Sequence, residues 1–417
     1  MVRIPPAAAL VAVLAVATLT ASGGERGGGA WPQWGGPTRN FVAPDVKIAD
    51  AWPAGGPRTA WRRPLGDGFS AIVTDGTTLY TSYRDGASDV AVALSAADGH
   101  TVWEARYPAP FTETCSERLG DAPRAAPLLA GDRLITVSAG GRMVSIDRRS
   151  GKEQWRADLI GPGSDAAKPC GYSSSPVQYK DMLITTAGGP GRGVVALDTA
   201  TGRVRWSTQD FMNGYSSPTL IDLGGRPHLI VFTAAEISGL DPETGGLEWT
   251  RPHPAEFGVN VAMPLWGPDD LLFVSSAYNG GSRVLKLTRG GGRVNVEELW
   301  ANKRVRLHFG NAVRLGDRLY LSNGDFGAAP FAAVDVRTGE MLWRDRAVTR
   351  ASLIGVGDKL IILDEDGQLA LAKPGATGLT VLARAPMFSG RAWTGPTLSG
   401  SRLFLRDRKE IVALDLD

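Results

Sequence analysis

The chain has 417 residues, 43% hydrophobic and 21% charged, enough apolar material for a sizeable core and not a disordered composition. Forty-five basic residues stand against 43 acidic ones, a formal charge of +2, and the charges are interspersed, which excludes a nucleic-acid partner bound on a basic face. Glycine, at 53 residues, is nearly twice its usual share of about 7%, and with 27 Pro it points to short strands and tight turns.

At the N-terminus Arg3 precedes an apolar run over residues 7–19, and Thr20-Ala21-Ser22-Gly23 offers small residues for cleavage. This pattern predicts a secretory signal over residues 1–22. The run is shorter than the roughly 20 residues of a membrane span, and it holds no Cys for a lipid anchor. A periplasmic or secreted protein without a stable membrane anchor is expected. Residues 23–58 read as a Gly-rich linker followed by an arm carrying Trp31-Pro32-Gln33-Trp34-Gly35-Gly36-Pro37. That arm is expected to pack on the outside of the domain that follows.

From residue 59 onward a short phrase recurs: an apolar strand, Asp, a turn ending in Gly, then Trp four residues later. Asp147, Gly151 and Trp155 form one copy; Asp198, Gly202 and Trp206 form the next. Asp241, Gly245 and Trp249 repeat it, as do Asp335, Gly339 and Trp343, while Ser95, Gly99 and Trp103 carry Ser in the Asp slot. Two copies are degenerate. After Gly292 the expected slot holds Val296 and Trp300 comes four residues late, and after Gly378 the slot holds Leu382. Asp or Ser can bond the turn amides and Gly supplies the positive φ a hairpin needs. Trp then lies on one face of the next strand, a large flat ring suited to filling the space between sheets.

Two strands precede each phrase, and a lead-in of small residues with Pro precedes those, as at Ser175-Pro176, Ser217-Pro218 and Gly395-Pro396. Four strands per unit, recurring every 39 to 52 residues, is the signature of propeller blades. The last unit ends at Asp417 without its fourth strand, whereas Trp61 sits in a strand with no repeat before it. The expected fold is therefore all-β: an eight-bladed propeller of four-stranded antiparallel blades over residues 59–417, closed by the N-terminal strand. Seven blades is the alternative if residues 283–303 do not form a proper blade. Trp61, Trp103, Trp155, Trp206, Trp249, Trp300 and Trp343 are read as structural blade residues.

The phrase resembles the PQQ repeat of quinoprotein dehydrogenases and their non-enzymatic relatives. Ser174-Ser175-Pro176, Ala196-Leu197-Asp198, Thr201-Gly202 and Trp206 match its pattern almost residue for residue. The resemblance implies either a PQQ-dependent alcohol or sugar dehydrogenase, with PQQ and Ca²⁺ as cofactors, or a scaffold such as the propeller subunit of the outer-membrane-protein insertion machine. Enzymes of the family typically offer vicinal cysteines, and none occur here. The insertion-machine subunit is a lipoprotein, and the anchoring Cys is missing too.

No zinc spacing links His100, His228, His253 and His308, and no nucleophile elbow or Walker loop occurs. Asp364-Glu365-Asp366-Gly367 lacks calcium-loop spacing and reads as a solvated acidic turn. Two long inter-blade loops, 106–124 and 157–174, carry Cys115 and Cys170 and belong to consecutive blades, which predicts a disulfide between them. Positions just before the inner strands are expected to face one mouth of the channel: Arg124, Tyr172, Tyr215, Asn260, His308, Asn311, Arg350, Arg391 and Trp393. Their basic and aromatic bias could hold a planar anion such as PQQ. The reading as a whole is of a monomeric, exported, non-catalytic module that binds a protein or other macromolecule at its mouth or rim. The alternative is a PQQ-dependent oxidoreductase with an atypical site.

Overall fold

The computed structural model describes residues 29–417 apart from 44–45, 54, 116–118, 162–168, 326 and 328. The signal expected over residues 1–22 lies outside the described residues. Strands two and three of each unit are apolar on both faces because each sheet is sandwiched between two neighbours. In Met182–Thr186 every residue is buried, and in Val194–Asp198 all but the last. The outermost strands alternate instead, as in Thr101–Pro108, because one of their faces meets water.

Eight four-stranded antiparallel sheets result. Blades one to seven take their strands in chain order, beginning at residues 73, 128, 177, 219, 265, 313 and 351. Blade eight joins Thr397–Ser399, Arg402–Arg406 and Glu410–Asp415 to Arg58–Pro64, which pairs antiparallel along Glu410–Asp415. The ring is closed by the first strand, and blade five is a full blade. The apolar core lies between blades: Leu79, Val92 and Leu94 of blade one pack with Phe404, Ile411 and Ala413 of blade eight.

The repeat phrase makes the joints. Asp147, Asp198 and Asp335 each accept the amide of the turn residue three positions on, at 2.7, 2.9 and 2.9 Å. The following Gly has φ near +70° and presents a bare surface to the Trp of the preceding blade. A Cβ on Gly151 would stand 2.8 Å from the ring of Trp103, and one on Gly202 2.5 Å from Trp155. Each of these indoles donates to a carbonyl of the same turn, Trp103 to Arg148 at 2.8 Å and Trp155 to Thr199 at 3.0 Å. Trp206 packs on Gly245 likewise, but without an indole hydrogen bond to that turn.

Three places depart from the simple spacing. The hairpin of blade five, Gly281–Gly290 and Arg293–Asn302, is longer than its counterparts. Trp300 therefore pairs opposite Val284 as Trp206 does opposite Ala196, and it docks on Gly339 of blade six. The lengthened hairpin carries its glycine turn away from Trp249, which donates instead to Nε2 of His228 in its own blade, at 2.9 Å. That bond leaves the proton on Nδ1, 3.0 Å from the Glu248 carboxylate. In blade seven the register places Ala383 opposite Leu371, so the Trp-equivalent position is Ala383 and not Leu382.

The arm is the main correction. Residues 29–43 do not pack outside the ring; they run into its central channel. Trp31 bridges to Thr74 of blade one, and the Pro32 carbonyl accepts from Leu129 N of blade two at 2.9 Å. Ala43 N donates to Gly355 O of blade seven at 2.8 Å. Arg39 Nη2 donates to Pro218 O of blade four at 2.7 Å, while a Cβ on Gly395 of blade eight would touch the Trp34 ring at 3.0 Å. Blades four and eight are opposite in an eight-membered ring, so the arm spans the axis. Its Pro and Gly residues turn it tightly, and its aromatic side chains find apolar walls in the inner strands.

Candidate functional site

Connections from each outer strand to the next inner strand gather on one face and form the mouth. Cys115 and Cys170, on the first two of the long connections, are disulfide-bonded with Cα atoms 5.1 Å apart. Across the mouth runs an unbroken edge of rings. Phe69 lies 5.6 Å from Trp393, Trp393 5.1 Å from Phe309, and Phe309 4.6 Å from His308. His308 meets Tyr278 edge-on at 4.9 Å, and Tyr278 meets Phe257 at 6.4 Å. Six residues from four connections and one hairpin thus make one aromatic crescent. Phe257 closes it, 81% exposed and held at φ +62° in the turn Glu256–Gly258. A bulky residue at positive φ is uncommon, and a strained, exposed aromatic is a feature of recognition sites more than of packing.

Arginines back the rings. Arg408 lies 5.4 Å from the ring of Phe69, Arg391 5.3 Å from Trp393, Arg350 5.3 Å from Phe309, and Arg124 5.7 Å from Phe111. Glu365 ties this side together, accepting from Arg391 Nη1 at 2.9 Å and from Trp393 Nε1 at 3.1 Å. The acidic turn read as solvated is thus half-buried and structural at the mouth. His308 Nε2 lies 2.5 Å from the Tyr278 hydroxyl. Burial, with the nearby Arg350 charge second, lowers its pKa to about 4, so the ring is neutral at pH 7 and accepts from Tyr278.

Among the sequence-predicted residues, His308, Arg350, Arg391 and Trp393 converge in the crescent. Arg124 and Tyr215 stand beside it, half-buried. The other three do not face the mouth. Tyr172 is 1% exposed and its hydroxyl donates to Thr186 O at 2.7 Å inside blade three. Asn260 donates to Thr233 O at 2.7 Å, and Asn311 clamps Leu353 through its N and O at 2.9 and 3.0 Å. Those amides stitch adjacent blades together, because strand twist turns them inward at that register. Phe69, Phe257, Tyr278, Phe309, Arg408 and Glu365 were missed. Phe69 and Phe309 share the lead-in position of Trp393, a signal the sequence does contain; Phe257 comes from the connection between blades four and five, and Tyr278, Arg408 and Glu365 come from hairpins that the fold brings near.

Residues suited to a calcium-held quinone would be a set of carboxylate and amide ligands with free arginines around an open axis. Here Arg391 is committed to Glu365, Arg350 donates to Asp325 O and Gly327 O at 2.8 and 2.6 Å, and Arg124 donates to Gly120 O and Ala122 O at 2.6 and 3.1 Å. The candidate amides bond backbone, and the arm occupies the axis. Among the described residues no three His, Cys, Asp or Glu side chains come together as a metal site. The residues present do not fit PQQ with Ca²⁺.

Comparison with known proteins gives two relationships. The outer membrane protein assembly factor BamB of Burkholderia pseudomallei is 25% identical over 352 residues, covering 78% of this chain and 85% of that protein. The quinohemoprotein alcohol dehydrogenase ADH IIB of Pseudomonas putida is 29% identical over 211 residues, 48% of this chain but only 29% of the enzyme. The crystal structure of BamB from Moraxella catarrhalis shares the fold, with a TM-score of 0.60 at 19% identity over 86% of this chain and 97% of that one. Among the described residues no helix is long and apolar enough to cross a membrane. A family profile described as outer membrane protein assembly factor BamB matches residues 47–298, and the chain belongs to that family of PQQ-repeat propellers.

Proposed function

We propose that this protein is an exported binding module that docks a protein partner across its mouth and acts by holding it, not by catalysis. The observation that carries the reading is the aromatic crescent from Phe69 to Phe257. Aromatic residues and arginine are enriched at the centres of protein interfaces, where rigid rings supply large contact area at low entropic cost. The relative that matches most of its own length is named an assembly factor, which fits a role exercised on other proteins. The arm fills the channel from the opposite face, so a partner meets a floored bowl and not an open pore.

A second reading, a quinone-dependent oxidoreductase, has in its favour the 29% identity to part of a quinohemoprotein dehydrogenase. The engaged arginines and filled axis weigh against it. In-cell photo-crosslinking tests the proposal. A benzophenone residue at Phe257 should capture one protein, the same residue at exposed Arg149 on the opposite face should not, and Trp393→Ala should weaken the Phe257 adduct. Equal capture from both faces, or an adduct indifferent to Trp393→Ala, would contradict docking at the crescent.

A further inference from the structure

Among the described residues two arginines, Arg39 and Arg406, are buried, and they are satisfied very differently. Arg406, 0% exposed, donates from Nε to Asp407 O, from Nη1 to Ser70 O, Thr81 Oγ1 and Ser82 O, and from Nη2 to Gly66 O, at 2.9 to 3.3 Å. It locks blade eight to blade one, and all three of its nitrogens are used. Arg39, 4% exposed in the channel, makes three contacts: Gln33 Oε1 at 3.2 Å, Pro218 O at 2.7 Å and the Met263 sulfur at 3.4 Å. Its Nε has no partner, and no carboxylate approaches it among the described residues.

A second unsatisfied group lies close by. Thr219, which follows Pro218 directly, is 3% exposed and its hydroxyl has no partner. Side chains alternate along a strand, so Thr219 shares a face with Ile221, which packs with Leu272 and Val274 of blade five. Met263 leads into that same blade. The Arg39 guanidinium and the Thr219 hydroxyl therefore belong to one place, between the inner ends of blades four and five. Its apolar neighbour is Met263, whose sulfur meets Arg39 and which packs against the cluster that contains Phe41 of the arm.

The backbone accepts strain to put the cation there. Arg39 has φ +55° and Phe41 φ +60°, both left-handed and neither glycine. Burial depresses the Arg39 pKa to about 9, which still leaves the group charged at pH 7. A buried charge without a counter-charge is strongly disfavoured, whereas a weakly hydrated anion in an apolar cage is held firmly by one cation and a hydroxyl donor.

We propose that the channel holds a small monovalent anion, halide- or formate-sized, between Arg39 and Thr219. One guanidinium edge and one hydroxyl suit a small ion, and with no second cation at this place among the described residues the charge to be matched is single. Such an ion neutralises the residue that seats the arm, so it couples the arm's position to the anion present.

The test uses the purified full chain at constant ionic strength, with gluconate replaced by chloride, bromide, formate or phosphate. Raising chloride or formate from about 1 to about 100 mM should lift the unfolding midpoint by about 2 °C or more. Arg39→Met should abolish that rise, and Thr219→Val, which keeps the strand, should reduce it. In crystals soaked in bromide, anomalous density should stand within hydrogen-bonding reach of Arg39. Identical salt responses in the parent and both variants, a response to phosphate alone, or water beside Arg39 in place of bromide would each overturn the proposal.

Discussion

The indole of Trp61 lies on Gly99: a Cβ there would stand 2.7 Å from the ring, and Trp61 Nε1 donates to Ala96 O at 3.0 Å. This is the same joint that Trp103 makes with Gly151, but its two halves belong to the last blade and the first. Trp61→Ala should cost about 2–3 kcal/mol, a half-buried aromatic truncation. Hydrogen exchange should quicken first in Glu410–Asp415, more than three hundred residues away in sequence. If exchange there matches the parent while the rest of the ring loosens, the seam lies elsewhere.

Gly239 predicts a sharp contrast. A methyl there would meet Trp249 Nε1 at 2.1 Å and His228 Nε2 at 2.2 Å, both tied to each other and unable to yield. Gly239→Ala should destabilise by about 3 kcal/mol, while Gly378→Ala, which meets nothing within 4 Å, should stay within about 0.5 kcal/mol of the parent. Urea unfolding midpoints of the two variants measure the difference directly.

The Cys115–Cys170 link closes a span of 55 residues between two mouth connections. By chain entropy a Cys115→Ser, Cys170→Ser double variant should lose about 4 kcal/mol. Limited proteolysis should cut the variant first within the mouth loops. Resistance equal to the parent's would show that packing alone orders them.

Stability should fall on acidification through the buried histidines. Burial lowers the pKa of His253 to about 3 and that of His308 to about 4, below the ordinary 6.5. A lowered folded pKa means that the contribution is complete above pH 6.5 and is lost as pH falls toward those values, with a few kcal/mol at stake for each ring and more for His253 than for His308. Asp89 works in the opposite sense: burial raises its pKa to about 6, so its contribution is complete below the ordinary carboxylate range and declines as pH rises through 6. His253→Leu should flatten the fall between pH 6.5 and 4, measured by calorimetry across that range. An unchanged slope would mean the ring is already accessible to protons.

The blade count and the Trp joints were legible because each phrase repeats and every copy informs the others. Trp300 could be placed only loosely, since a longer hairpin shifts the spacing without changing the register. The arm had no such support. Trp31, Trp34 and Arg39 occur once, and nothing in their spacing distinguishes a channel from an outer wall. For the mouth, position in the repeat found Trp393, Arg391, Arg350 and His308. It misjudged Tyr172, Asn260 and Asn311, because one residue of register decides whether a side chain faces the axis or the next blade. Phe257 and Tyr278 become neighbours because the lead-in to blade five folds against that blade's own hairpin, where Glu256 N donates to Tyr278 O at 2.9 Å.

The central claim is that the mouth is a docking face for a protein and not a quinone pocket. Titrating the purified protein with PQQ in the presence of Ca²⁺, while following tryptophan fluorescence and dye reduction with alcohols and sugars, tests it most directly. Committed arginines and a channel filled by residues 29–43 predict no saturable uptake and no turnover. Saturable binding accompanied by turnover, with both lost on Trp393→Ala, would contradict it.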